Sequence, residues 1–274
     1  MQFVESHGAR IPAIGLGTMT LKEATCVETV REALRGGYRH LDTAQMYDNE
    51  AEVGQGLKAS GVPRDQVFVT TKVWHTNAAA RDFARTTEES LKKLNLAAVD
   101  LLLIHWPNKD IPLAETVGAL CKAKREGLAR HVGVANFTLS LLEQAVKLAS
   151  EPLVANQIEV HPFIDQSKVI AACARHGLAV TAYCPLARGG VLGNPLLERI
   201  GKAHRKSAAQ VSLRYLLQLG LVVIPRTSNK QRLAENLAGL DFTLTDGDMA
   251  EIKTLRRPDG RVVSPPHAPQ WDPA

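Results

Sequence analysis

Short apolar runs recur along this chain, separated by longer stretches in which apolar residues return at helical intervals. The runs occupy residues 14–17, 38–41, 67–72, 99–104, 130–135, 154–157, 179–183 and 221–224. Each has the length and β-branched character of a buried strand. Between two of them, Phe83, Thr87, Leu91 and Leu94 fall on one face of a helix. Similar spacing predicts helices over 25–35, 49–60, 113–125, 139–149, 168–175 and 232–240. Strand and helix thus alternate eight times, which predicts an α/β fold, a (β/α)8 TIM barrel. Residues 3–13, with Gly8 at their middle, read as an N-terminal β-hairpin that closes the bottom of the barrel. A short C-terminal tail follows the last helix. No Pro/Gly/Ser-rich linker divides the chain, so one domain over 1–274 is expected. The competing topology is a doubly wound sheet carrying G-x-G-x-x-G. The one candidate stretch, Gly15-Leu16-Gly17-Thr18-Met19-Thr20, lacks the third glycine.

Composition narrows the function. Apolar residues make up 45% of the 274, enough for a sizeable core. The net charge of +5 comes from lysines and arginines interspersed with acids, so a nucleic-acid partner is not expected. No apolar run reaches membrane-spanning length, and the opening residues lack a secretory pattern. Cys26, Cys121, Cys173 and Cys184 lie far apart, without the pairing of a zinc site or disulfide framework. No metal and no membrane are expected, and a cytoplasmic location is.

The chemistry emerges from the strand ends, which converge on one mouth in a barrel. There stand Asp42, Lys72, His105, Asn136, Gln157, Tyr183 and Arg226, and Tyr47 follows Asp42 by five residues. Each has a structural explanation when taken singly: an ion pair for Lys72 and Asp42, a backbone-bonded core imidazole for His105. Together they compose a proton-donating site. A lysine ammonium next to Tyr47 is expected to favour the phenolate and lower the phenol's pKa. The acid holds the lysine, and a histidine hydrogen-bonds a carbonyl oxygen. Carbonyl reduction by a nicotinamide hydride needs that set.

At these residues the chain resembles the aldo-keto reductase family. The motifs are G-Y-R-H-L-D-T-A-Q-M-Y-D-N-E, T-T-K-V-W, L-L-L-I-H-W-P, H-V-G-V-A-N-F, V-A-N-Q-I-E-V-H-P and I-P-R-T-S-N-K-Q-R-L-A-E-N. Within the family, the bacterial 2,5-diketo-D-gluconate reductases of the smaller, methylglyoxal-reducing type are the most similar subgroup. The resemblance implies a catalytic tetrad of Asp42, Tyr47, Lys72 and His105, with Tyr47 as proton donor. It implies NADPH as cofactor and a small carbonyl compound as substrate, in a monomer. The nicotinamide would meet Asn136, Gln157 and the ring of Tyr183, with Gly17, Thr18, Met19 and Asp42 beside it. Pro185, Leu186 and Ala187 would fold over the pyrophosphate in a glycine-bearing flap. Arg226, Thr227, Ser228, Asn229 and Arg232 would hold the adenosine phosphate, with Glu235 and Asn236 near the adenine. Met46, Trp74, His105, Trp106 and Trp271 would wall the substrate pocket. Ala135, Cys184 and Arg226-Thr227 depart from the usual family residues. Two other functions compete: a lyase using Lys72 as a Schiff-base nucleophile, and a nucleotide-binding regulator with little turnover.

Overall fold

The computed structural model describes residues 1–273; Ala274, the end of the expected domain and tail, lies outside the described residues. After a hairpin of β1 (Phe3–Ser6) and β2 (Ala9–Pro12) come β3 (Leu16–Gly17), β4 (His40–Asp42), β5 (Phe68–Val73), β6 (Val99–Ile104), β7 (Ala129–Ala135), β8 (Leu153–Glu159), β9 (Ala179–Tyr183) and β10 (Val222–Val223). From β3 to β10 they lie side by side in chain order, every neighbouring pair parallel. The sheet then closes on itself. Ile14 bridges Val223 in parallel, Gly15 N donates to Val223 O at 2.8 Å, and Val223 N donates to Ala13 O at 2.8 Å. The curled parallel sheet with alternating helices is the (β/α)8 barrel that the alternation predicts.

Helices α1 (Glu23–Arg35), α2 (Glu50–Ser60), α3 (Ala80–Leu94), α4 (Leu113–Arg125), α5 (Leu139–Leu148) and α6 (Ser167–Arg175) follow successive strands. Next come α7 (Pro195–His204), α8 (Ala208–Gln218), α9 (Lys230–Leu237) and α10 (Asp246–Lys253). Helices α7, α8 and α10 lie outside the helices predicted from sequence, although each carries a start signal. Asn194 caps α7 by accepting Leu197 N at 3.1 Å, with Pro195 behind it. Ser207 with Gln210, and Thr245 with Asp248, form capping boxes for α8 and α10.

Side-chain parity along the strands fixes what points inward. In β6, Leu101 and Leu103 join a cluster inside the barrel, whereas Leu102 and Ile104 pack outward against the helices. In β5, Phe68 belongs to the inner cluster and Val69 and Val73 to the outer one. Thr70 and Lys72 share the parity of Phe68. The same parity in β4 turns His40 and Asp42 inward, and His40 Nε2 meets Thr70 Oγ1 at 3.1 Å. Layers therefore stack from apolar at the bottom to charged at the top.

The hairpin fills the bottom. Its Ala9 and Ile11 pack with Phe68, Leu101, Val154, Ala179 and Val222 at the lower ends of the strands. Ser6 Oγ donates to Gly177 O at 2.7 Å, tying the hairpin to the loop before β9. Truncating Ile11, fully buried, to alanine should cost about 2–5 kcal/mol, the scale of a buried isoleucine cavity. Urea denaturation measures it, with half-buried Val4→Ala as the smaller comparison. Equal losses for the two variants would separate the hairpin from the barrel's packing.

Candidate active site

Asp42 ends β4, Lys72 is the second-last residue of β5, and His105 directly follows β6. Adjacent strands in register bring the first two together: Lys72 Nζ donates to Asp42 Oδ1 at 2.6 Å and to Thr43 O at 2.8 Å. Its third and longest bond, 3.4 Å, goes to the hydroxyl oxygen of Tyr47. Neither charge reaches solvent: Lys72 is 0% exposed and Asp42 1%. From the far side of the barrel, Gln157 Nε2 donates to the other carboxylate oxygen, Oδ2, at 2.7 Å.

Tyr47 sits in a single 3-10 turn, Gln45–Tyr47, that follows β4 before α2 begins. Several side chains hold that turn. Lys22 Nζ donates to Tyr47 O, Asn49 Nδ2 donates to Thr18 O and Leu21 O, and Thr43 Oγ1 donates to Asn49 Oδ1. Gln45 Oε1 accepts from Trp74 N and Asn77 Nδ2, joining the turn to the loop after β5. The result places the Tyr47 ring edge-on to His105, centroids 5.7 Å apart.

Burial sets the protonation states. It pushes the Tyr47 phenol well above its ordinary range, and the charge of Asp42 pushes the same way. This corrects the expectation from sequence of a lowered pKa for Tyr47, because the net shift is upward. The ammonium is committed first to Asp42 and Thr43, and the loss of water around the phenolate outweighs it. Burial also lowers Lys72 from its usual value, against the opposing pull of Asp42. His105 is driven well below the usual imidazole range by burial and then by the charge of Lys72. At neutral pH the pocket thus holds a protonated phenol and an uncharged imidazole.

Rings wall the mouth. Trp74 lies 5.1 Å from His105 by centroid, His267 lies 5.0 Å from Trp74 and 5.2 Å from Trp106, and Trp271 lies 6.0 Å from Trp106. The tail therefore returns to the barrel mouth, where Asp272 Oδ2 also accepts from Leu139 N at 2.9 Å. His267 and its stacked neighbour His75, 4.3 Å away, were not singled out from sequence. A lone histidine in a Pro-rich tail gives no signal of where it folds. Met46 stands at the same mouth turn with 44% of its surface exposed.

The remaining candidates fall into two groups. Near the tetrad, Thr18 is buried and donates its hydroxyl to Asp42 O at 2.9 Å. Gly17 is required there, since a Cβ would approach Ile224 O to 2.8 Å. Asn136 takes a left-handed backbone, φ 63°, and its Nδ2 donates to His105 O at 2.9 Å. Tyr183 donates its hydroxyl to Asn136 Oδ1 at 2.7 Å. In the loop after β9, Pro185 O accepts from Ser212 Oγ, Leu186 is half-buried and Ala187 is buried. Cys184, Ala187 and Arg188 carry positive φ beside Gly189, so residues other than glycine also bend this loop. The second group lies past the end of β10. Arg226 Nε donates to Met19 O at 3.2 Å, and Thr227 Oγ1 accepts from Asn229 N. Asn229 caps α9 through Gln231 N and Arg232 N. Ser228, Arg232 and Glu235 are exposed and Asn236 is buried.

The Lys72–Asp42 pair makes a quantitative demand on the fold. Asp42→Asn or Lys72→Met alone leaves a buried charge unpaired and should cost about 3–5 kcal/mol. The double variant should lose clearly less than the sum of the two in urea denaturation. Additive losses would mean that the two charges do not support each other.

Known proteins match this chain along most of its length. The Aldo/keto reductase family model covers residues 13–257. The methylglyoxal reductase DkgB of Yersinia pestis is 42% identical, over 96% of this chain and 99% of its own length. The glyoxal reductase of Bacillus subtilis (strain 168) is 39% identical, over 93% of this chain and 92% of its own. A crystal structure provisionally assigned to a 2,5-diketo-D-gluconic acid reductase B superposes with a TM-score of 0.98 at 46% identity, covering 99% of this chain and 98% of that one. A 274-residue barrel with this much of its length shared is, by sequence and by fold, a member of the aldo-keto reductase family.

Proposed function

We propose that this chain reduces aldehydes and ketones to alcohols with NADPH, acting on small dicarbonyls such as methylglyoxal or on 2,5-diketo-D-gluconate. The observation that carries the reading is a phenol kept protonated at the barrel mouth, its oxygen bonded to a buried, acid-paired ammonium and its ring edge-on to an uncharged imidazole. The residues present suit a nicotinamide dinucleotide. Two buried amide side chains, Asn136 and Gln157, and the half-buried ring of Tyr183 stand near the tetrad. At the other group, Arg226 and Arg232 flank the amino end of α9 in solvent, a setting that attracts phosphate. Gly17, Thr18 and Met19 would line the reactive end of the cofactor, residues 185–187 would cover its pyrophosphate, and Glu235 and Asn236 would border its adenine.

When bound, NADPH supplies the hydride that reduces the carbonyl carbon. The protein's task is the oxygen. His105 donates a hydrogen bond to it and orients the carbonyl, which its uncharged form does without competing as an acid. As the C=O π bond breaks, the oxygen becomes a base far stronger than the phenolate, and Tyr47 gives it the hydroxyl proton. Lys72 then stabilises the phenolate that remains, and Asp42 keeps Lys72 in place and charged. Solvent returns the proton to Tyr47 before the next cycle. Met46, Trp74, Trp106 and Trp271 border the substrate with apolar surface, which suits small or flat carbonyls and broad selectivity.

Tyr47→Phe should lower kcat for methylglyoxal by about two orders of magnitude or more, the scale of general acid catalysis, with cofactor binding by fluorescence nearly intact. In the unaltered enzyme, kcat/KM should stay level between about pH 6 and 8, because burial removes His105 from the ordinary histidine range near 6.5. A phenylalanine variant with more than half the original rate, or a rate that follows a histidine titration, would overturn these roles. Cofactor choice follows from Arg232. One charge-assisted phosphate contact is worth about 1.5–3 kcal/mol, or roughly ten- to a hundredfold in affinity. NADPH should exceed NADH by at least about tenfold in kcat/KM on that account. Arg232→Ala should erase most of the margin by weakening NADPH alone; equal weakening of both cofactors would deny Arg232 the phosphate.

A further inference from the structure

One buried carboxylate at the barrel mouth takes no part in the chemistry derived above. Glu159 ends β8 and is 0% exposed. Its oxygens receive two consecutive backbone N–H groups from the tail: Val262 N to Oε1 at 2.6 Å and Val263 N to Oε2 at 2.9 Å. His161 Nε2 lies 2.9 Å from Oε1, and the Arg261 guanidinium approaches Oε2 at 3.9 Å. Gln166 Nε2 fastens the backbone beneath by donating to Glu159 O at 3.0 Å.

The tail has no helix or strand of its own past Lys253 among the described residues, so such anchors set its course. Immediately beyond the Glu159 contacts, the chain crosses the mouth. His267 packs edge-on to Trp74 and Trp106, Trp271 meets Trp106, and Trp271 Nε1 donates to Ser264 Oγ at 3.0 Å. The guanidinium of Arg261 lies over the Trp271 ring at 3.7 Å. One side chain thus grips the root of the segment that roofs the pocket. The grip is specific to a carboxylate: it offers an acceptor to each N–H, whereas an amide of the same shape turns one acceptor into a donor facing a donor.

We infer that Glu159 is a positioning residue that latches the C-terminal tail over the mouth and thereby sets which carbonyls the pocket holds. The selectivity half of this inference rests on the reductase reading; the latch half does not. The expected result for Glu159→Gln is a tail that leaves the mouth. Trypsin should cut the 261–262 bond about ten times faster or more while the rest of the chain resists as before. The KM for an aromatic aldehyde, which reaches the roof, should rise about tenfold. The KM for methylglyoxal, too small to reach it, should change less than about twofold, with kcat for both within about twofold. Val263→Pro removes one of the two N–H donors in a non-helical segment and should reproduce both effects should the glutamine variant not fold. Unchanged cleavage at 261–262 overturns the latch. Faster cleavage with unaltered KM for the aromatic aldehyde overturns the selectivity. Loss of kcat for both substrates alike assigns Glu159 to the reacting centre instead. If the unaltered protein reduces neither carbonyl, the reductase reading fails, and the cleavage rates still decide the latch.

Discussion

An ammonium with no exposure to water has to be answered by an acid, and in this barrel the answer comes from the next strand. Register sets Asp42 of β4 against Thr70 of β5, one inward layer below Lys72, close enough for a 2.6 Å bond. The remaining partners arrange themselves around that pair. Gln157 reaches across to the second carboxylate oxygen, Thr43 offers its carbonyl to the ammonium, and the hydroxyl of Tyr47 completes the lysine's contacts. The pair is sustained by what lies below it. Apolar layers and a hairpin plug keep water from rising through the barrel, so the charges have only each other and a few fixed dipoles to rely on.

The same dryness gives the neighbouring groups their character. A phenol in water near neutral pH is already an acid held in reserve, and burial deepens the reserve. An imidazole in water would be part-charged, and burial removes that charge. Neither effect needs a dedicated side chain. Local backbone geometry then sharpens the site. Asn136 adopts a left-handed conformation at the end of β7, which aims its amide between the His105 carbonyl and the Tyr183 hydroxyl. Asparagine tolerates that conformation better than most residues. Cys184, Ala187 and Arg188 have less to recommend them for it, so the loop after β9 stores strain that its surroundings hold in place.

Much of this was legible in the chain because strand ends of a barrel converge by geometry. Locating eight apolar runs is enough to gather Asp42, Lys72, His105, Asn136, Gln157 and Tyr183, and parity alone turns Lys72 inward. The less legible parts depend on contacts that no spacing encodes. Gln45, Thr43 and Asn49 lie in the same eight-residue stretch as Asp42 and Tyr47, yet only the folded turn shows them holding Tyr47 against the loop bearing Trp74. The Tyr47 shift runs opposite to the sequence expectation because a nearby charge is visible in a sequence and the loss of water is not. Helices α7 and α8 carry both a cap and a buried apolar face, with Leu197 and Ile200 in one and Val211 and Tyr215 in the other, whereas in the short α10 only Ile252 is buried and the cap alone announces it. The tail's path over the mouth has no period at all; it follows from anchors some hundred residues earlier in the chain.

Hairpin and tail also give the molecule two poles. The segment from Phe3 to Pro12 lies across the closed end of the barrel, whereas the segment through Asp272 ends beside the open one, fastened to the amino end of α5. The two segments are therefore unequal as points of attachment. A surface, label or fusion partner tethered through the hairpin leaves at the sealed pole with the mouth facing outward. One tethered through the tail pulls directly on the roof.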